Sequence, residues 1–450
     1  MMKKIKVRTI ILMLSGLMSC ESFLDPKPDQ SLVVPTTVED IRSLLDNTTV
    51  FCRQASLPII AGDEFYMLDG AFDRFSLLEQ SVYRWADDPY QGQPVGDWSV
   101  PYKQVFYANV ALDAIQKLGN NDNAELQKLK GEALFHRAYA YFQLLQEFTP
   151  AFASNGANGD ALGLVLKDNP DVTGNPGRAD LESSYSQMLG DLSLSIELLP
   201  DLQLPKSRPG KAAALGLLAR IYLTQFAYSE AAEAAAEALG LYPGGRMDFN
   251  EMNVNASRPF VRFNEETIFY SQMISYSYFT SRQVAVDTAL IQSYQEGDLR
   301  LPAYFNENQP GIFNYTGKHT GNAAMFGGLT VGELQLIVAE GYVRSGDDSL
   351  AQKYLNDLIK NRIQPEFYDP VTLIGDELLE AILLERKKEL IGRGIRWSDL
   401  RRLNQEAGHS TEIKRTIAGE ELVIPPTSPK YVFPIPMEEI QRSGIRQNPR

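Results

Sequence analysis

The chain has 450 residues, 44% of them hydrophobic, with 57 acidic against 43 basic side chains and a formal net charge of -14. That balance excludes a nucleic-acid binder, because phosphates demand a basic surface. The only two cysteines are Cys20 and Cys52, so stability must come from a core and not from disulfide staples, and the length suffices for one large domain or two intimately packed ones.

Lys3, Lys4, Lys6 and Arg8 precede an uncharged, mostly apolar run from Thr9 to Met18, which ends at Leu17, Met18, Ser19 and Cys20. Roughly ten such residues are too few to cross a bilayer, which takes about twenty, so 1–19 reads as a signal peptide. Its end, a small residue and a cysteine with no A-x-A site, resembles the lipobox of bacterial lipoproteins, with Met18 an unusual occupant two places before the cysteine. The resemblance implies that Cys20 is acylated and becomes the first mature residue, which leaves Cys52 without an intramolecular partner. Two or three acyl chains hold far more firmly than one. Residues 20–35 carry Pro26 and Pro28 among Asp25, Lys27, Asp29 and Gln30; they read as a tether, not a helix interior. The remainder, 36–450, reads as one domain.

Thr36 and Thr37 with Glu39 suit the cap of a short helix bearing Ile41, Leu44 and Leu45 on one face. Residues 57–97 follow as an irregular, aromatic and acidic insertion. From Trp98 the period turns helical, with Tyr102, Val105, Phe106, Asn109, Val110, Leu112 and Ile115 at three- and four-residue steps. A second helix is expected at 124–148 and helical patterning returns at 181–199 and 210–239. The stretch 250–328 is loop-rich and aromatic. A last amphipathic helix, 376–391, has acids at its start, bases later and Gly392 as its stop, and the tail, with Pro425, Pro426, Pro429, Pro434 and Pro436, reads as extended coil.

Leu218, Ala219, Tyr222, Ala231, Ala238 and Pro243 fall at tetratricopeptide spacing, and the same frame moved by 120 residues gives Val338, Ala339, Tyr342, Ala351 and Leu358. Helices approach closely only where side chains are small. The copies are not contiguous, so the expectation is an all-α scaffold of tetratricopeptide-like hairpins at about 98–245 and 330–403, carrying long irregular insertions at 57–97 and 250–328.

Eight segments taken in order resemble the SusD/RagB family of outer-membrane nutrient-binding lipoproteins of Bacteroidetes. They are CESFLDPKPDQ, PTTVEDIRSLLDN, YRWADDPYQGQPVGDWSVPYKQVFYANVALDAI, LKGEALFHRAYAYFQLLQEF, RPGKAAALGLLARIYL, AEGYVRSGDDSLAQKYLN, ERKKELIGRGIRWSDLRRLN and YVFPIPMEEIQRSGIRQNP. Two departures fall in scaffold segments: Gly392, Arg393 and Gly394 stand where the family usually has an aromatic, Glu and Gly, and Arg450 replaces a Gly and aromatic ending. The resemblance implies a helical lid over a separate TonB-dependent, SusC-like outer-membrane transporter, with a ligand site built by inserted loops. Family ligands are mostly oligosaccharides, with peptides in some branches.

An oligosaccharide binder needs exposed aromatic platforms for sugar faces and amide, carboxylate or guanidinium partners for hydroxyls. Asp63 and Tyr66 with Trp85, and Tyr276, Tyr278 and Arg282 with Phe313 and Tyr315, are the candidate sets. Trp98, Tyr222 and Tyr342 read as structural. Glu385, Arg386, Glu389, Arg396, Asp399, Arg401 and Arg402 around Trp397 read as a fixed scaffold network. His136, His319 and His409 lie far apart without metal-ligand spacing, and no nucleophile elbow or phosphate-cradling loop occurs. Asn155, Asn158 and Asp160 suit a solvated turn better than a calcium loop. The expectation is therefore a surface nutrient binder with no cofactor and no catalytic set. A surface glycan hydrolase and a purely protein-binding adaptor are the rival readings.

Overall fold

The computed structural model describes residues 35–119, 122–174 and 176–450. The expected signal peptide, Cys20 and the expected tether up to residue 34 lie outside them. Thr37 opens α1 (Val38–Leu45) with a capping box, accepting the Asp40 N–H at 3.1 Å while the Asp40 carboxylate accepts the Thr37 N–H at 3.0 Å. The cap is thus Thr37 with Asp40, where the sequence pointed to Glu39.

The scaffold continues through α2 (Gly96–Leu118), α3 (Ala124–Phe148), α4 (Leu181–Leu198), α5 (Lys211–Thr224), α6 (Tyr228–Leu241), α7 (Val331–Arg344), α8 (Asp348–Ile359), α9 (Gly375–Glu389) and α10 (Arg396–Leu403). Consecutive helices pack on one another: α2 on α3, α3 on α4, α5 on α6, α6 on α7, and α7 on both α8 and α9. Helix makes up 48% and strand 9% of the described residues, so the fold is the all-α tetratricopeptide-like one. Every residue of α3 from Gly131 to Leu145 is buried, which marks it as a central helix with no solvent face. Its charged members are paired: Arg137 forks onto Asp191 at 2.6 and 2.7 Å, and Glu132 receives both terminal nitrogens of Arg42 at 2.7 Å.

Ala219, Ala231, Ala238, Ala339, Ala351 and Leu358 are all fully buried, as the repeat frame requires. The closest seam lies between the two copies. A Cβ placed on Gly341 of α7 would sit 2.4 Å from the Tyr228 carbonyl oxygen and 2.5 Å from the Ala232 Cβ, both on α6. The two repeat hairpins therefore stack directly, and the long stretch between them in sequence is looped out.

That looped-out insertion is tied back by buried ions. Arg300, fully buried, donates to Asp298 at 2.8 and 3.0 Å, to Glu389 at 3.1 Å, and to Glu385. Arg362 joins Glu389 and Glu266, each at 2.8 Å. Arg386 and Arg402 share Asp399 at 2.8 and 3.0 Å. Arg401 places its guanidinium on the carbonyls of Leu145, Gln146 and Thr149 at the end of α3, a site where the helix dipole favours a cation. These side chains are occupied by one another and by helix ends, so the cluster around Trp397 is scaffold.

Two expectations need correction. Residues 57–97 hold helices Leu57–Ala61 and Leu77–Tyr83, the second opened by a capping box between Ser76 and Glu79; the S-x-x-E signal was present in the sequence. The tail is not simply extended, because Pro436 caps a helix, Met437–Ser443, a position where proline's fixed φ costs nothing. Among the described residues no helix is long and apolar enough to cross a membrane.

Candidate ligand-binding cavity

Four β-segments, two of them a hairpin, shape the cavity walls. β1 (Phe65–Met67) pairs antiparallel with β2 (Val284–Val286), and the hairpin β3 (Phe305–Gln309) and β4 (Ile312–Tyr315) turns through Pro310 and Gly311. Cross-strand partners share a face, so Phe305 with Tyr315 and Glu307 with Phe313 lie on one side and Asn306 with Asn314 on the other. Asn314 stitches the hairpin to β2 by donating to the Val284 carbonyl at 2.6 Å. On the opposite wall, the turn Ser277–Thr280 is held by Glu79, which accepts the Tyr278 N–H at 2.8 Å and the Ser277 hydroxyl at 2.7 Å. Burial raises the Glu79 carboxyl, but these donors and Ser76 outweigh it and hold it below the usual range.

Between these walls is an open cavity of about 810 Å³. Phe279, Phe313 and Tyr315 line it as half-buried rings, with Asn255, Asn306, Asn308 and Asn322 as amides and Arg258, Arg282 and Lys318 as cations. Glu307 is the one carboxylate among the described lining residues. Lys318 donates to the Phe279 carbonyl at 2.5 Å, and burial, with the nearby charge of Arg258, pulls its ammonium down to about 8. Gly392, at φ +67°, brings the end of α9 against the wall; a Cβ there would meet the Tyr315 ring at 2.7 Å. Such a site offers flat apolar faces, a rim of amide donors and acceptors, and positive charge.

Of the residues singled out from the sequence, Tyr278, Arg282, Phe313 and Tyr315 line this cavity, Tyr278 from a buried position. Asp63, Tyr66, Trp85 and Tyr276 do not. Trp85 is only 2% exposed, donates its indole N–H to the Ala61 carbonyl at 2.9 Å, and lies under the Arg415 guanidinium; it has no free face to offer. Asp63 is taken up by Arg396 and Lys387. Tyr276 donates to Asp97 at 2.7 Å, and Asp97, fully buried, also accepts the Leu57 N–H at 2.7 Å. Tyr66, half-buried on β1, lies outside the lining. The residues missed were Phe279, Arg258, Lys318 and the asparagines. The density of Asn between 250 and 322 was the available signal, since amides on loops are what a hydroxyl-rich ligand needs.

His136 and His319 are packed among aromatic rings of the core. His136 stacks on Phe51 at 4.3 Å and burial lowers it to about 3, while His319 stacks on Phe260 at 4.0 Å. Asn155 and Asn158 cap their own turn, accepting from Ala157 at 3.1 Å and Ala153 at 2.7 Å.

Two family models match the chain in tandem. One, described as starch-binding associating with outer membrane, covers residues 22–223; the other, the SusD family, covers residues 330–450. The chain belongs to the SusD family. Solved relatives share the fold over nearly their whole length. A SusD superfamily protein of Bacteroides vulgatus is similar at 22% identity and a TM-score of 0.75, covering 92% of this chain and 99% of its own. A surface glycan-binding protein A of Bacteroides fluxus is similar at 21% identity and a TM-score of 0.70, covering 92% and 100%. SusD-like protein P2 of Formosa agariphila is 23% identical over 247 residues, 52% of this chain and 46% of that protein; the match thus spans about half of that relative. In this SusD-family member the tetratricopeptide-like helices are the frame, and the cavity belongs to the segments inserted between the two repeat copies.

Proposed function

We propose that the protein is a lipid-anchored outer-membrane binder that captures an oligosaccharide in the Phe279–Phe313 cavity and passes it to a TonB-dependent, SusC-like transporter. The observation carrying this reading is the convergence of half-buried rings and loop amides on one open cavity in a SusD-family frame. Glycan binding by the Bacteroides fluxus relative supports the ligand class. A single lining carboxylate supports capture over cleavage, because glycoside hydrolysis ordinarily uses a pair. Anchoring is assigned to Cys20, outside the described residues.

The test is binding of purified protein to an oligosaccharide array, followed by titration calorimetry on the hits. Saturable binding that Phe313→Ala weakens supports the reading. Release of shorter sugars during the incubation, or retention of protein ligands alone, would replace it with the hydrolase or the adaptor. Loss of palmitate labelling in Cys20→Ala tests the anchor separately.

A further inference from the structure

The cavity carries an excess of positive charge that the protein leaves unbalanced. Of the buried and half-buried scaffold guanidiniums, Arg300, Arg362, Arg386, Arg396 and Arg402 each face a carboxylate within 3 Å, and Arg401 and Arg415 sit on backbone carbonyls; Arg258 and Arg282 are exposed at the cavity. Arg258, Arg282 and Lys318 form no ion pair among the described residues. Arg258 reaches only the Gly321 carbonyl at 3.4 Å, and Lys318 only the Phe279 carbonyl at 2.5 Å. Acidic side chains outnumber basic ones 57 to 43 in this chain, yet three cations and one carboxylate, Glu307, line the hollow. Glu307 is already used, accepting the Gly311 N–H at 2.8 Å to close the hairpin turn.

Arg258 lies close enough to Lys318 to disfavour the charge on its ammonium. Lys318 is pressed down to about 8 by burial first and by Arg258 second. Like charges gathered in a cleft cost stability and raise the local concentration of an oppositely charged ligand, so the arrangement is useful only if something negative enters.

We propose that the oligosaccharide taken by this cavity is acidic, presenting a carboxylate or sulfate group to Arg258 and Lys318 while its sugar faces lie on Phe279 and Phe313. The proposal rests on the glycan-binding reading of this site and narrows it to a ligand class. Arg282, exposed at the rim, faces the same opening. The remaining titratable groups of the lining, Tyr278 and Tyr315, are pushed up by burial and stay neutral, so Lys318 is the group whose charge changes near neutral pH. Because an anion favours the protonated ammonium, affinity should be flat below about pH 8 and fall above it.

The experiment titrates the purified protein with two matched pairs of probes: oligogalacturonates against their methyl esters, and sulfated galactan oligosaccharides against their desulfated forms. The expected result is binding of at least one acidic member, lost by about tenfold or more on neutralisation, weakened by added salt and weakened again above pH 8. The pair that responds tells carboxylate from sulfate. Arg258→Gln and Lys318→Gln should each reduce that affinity by about tenfold, the size of one charge-assisted hydrogen bond. Neutral forms bound as tightly as the acidic ones, or acidic binding indifferent to salt and to both substitutions, would overturn the proposal and leave glycan capture standing. Binding of neutral oligosaccharides alone on a wide array would do the same, whereas binding of no oligosaccharide at all would remove both.

Discussion

Arg396 closes both Nε and Nη2 on the carboxylate of Asp63, each at 2.8 Å. The sequence put Asp63 among ligand contacts and Arg396 in the scaffold; the fold joins them, and Lys387 adds a third contact at 3.3 Å. Burial raises the Asp63 carboxyl, but the two cations outweigh it and hold it well below the usual carboxylate range. Asp63→Ala leaves the guanidinium without its partner and should cost about 3 kcal/mol, the usual penalty for breaking such a pair. Asp63→Leu combined with Arg396→Met should recover much of that. Urea unfolding of the three proteins measures it, and glycan affinity of the folded Asp63→Ala variant should be unchanged.

Glu64 behaves oppositely to its neighbour. It is 2% exposed, and burial, with a smaller push from Asp63, lifts its carboxyl to about 7 against the pull of the Gly392 N–H at 2.9 Å. Between about 4.5 and 7 the folded chain keeps a proton that the unfolded chain has released. Stability contributed by Glu64 is therefore lost as pH rises through that window and is level above it. Glu64→Gln keeps an acceptor for Gly392 without the charge. It should flatten the dependence and raise stability at pH 8 by up to about 3 kcal/mol, read from denaturation midpoints between pH 4 and 8.

What the sequence made legible follows from the range of the interactions involved. Helices α3, α4 and α9 announced themselves through local periodicity, and the repeat frame through alanines that must be small wherever they cross. The short helix at Leu77–Tyr83 was equally local, through Ser76 and Glu79. The site was less legible because an aromatic side chain carries no mark of which way it faces. Trp85 and Phe313 are alike as letters; one lies under Arg415 and the other lines a cavity only because of pairings formed far away in the chain. Asp97 and Tyr276, 179 residues apart, meet for the same reason.

Gly341 tests the seam between repeat copies. Its missing side chain lets α7 reach the Tyr228 carbonyl of α6, with 2.4 Å left for any Cβ. Gly341→Ala should lower stability by about 2 kcal/mol through overpacking. Gly190, exposed inside α4 with nothing within 4 Å of its would-be Cβ, is the control. Gly190→Ala should raise stability by about 0.8 kcal/mol through helix propensity alone, so thermal unfolding should move in opposite directions for the two.

Phe313 and Tyr276 separate binding from scaffolding within one region. Phe313 stands opposite Glu307 on the hairpin, half-buried, with its ring on the cavity. Its removal takes away a stacking face and should leave β4 intact, because Asn314 still donates to Val284 at 2.6 Å. Phe313→Ala is therefore expected to weaken oligosaccharide binding by about tenfold, or about 1.4 kcal/mol, with an unfolding midpoint close to that of the parent. Tyr276→Phe instead deletes the hydroxyl that donates to buried Asp97 at 2.7 Å. Leaving that carboxyl short of a donor should cost about 1 to 3 kcal/mol of stability and leave affinity as it was. Calorimetric titration beside urea unfolding on both variants decides the matter: a Tyr276→Phe protein of full stability with weakened glycan binding would move Tyr276 from the frame into the site.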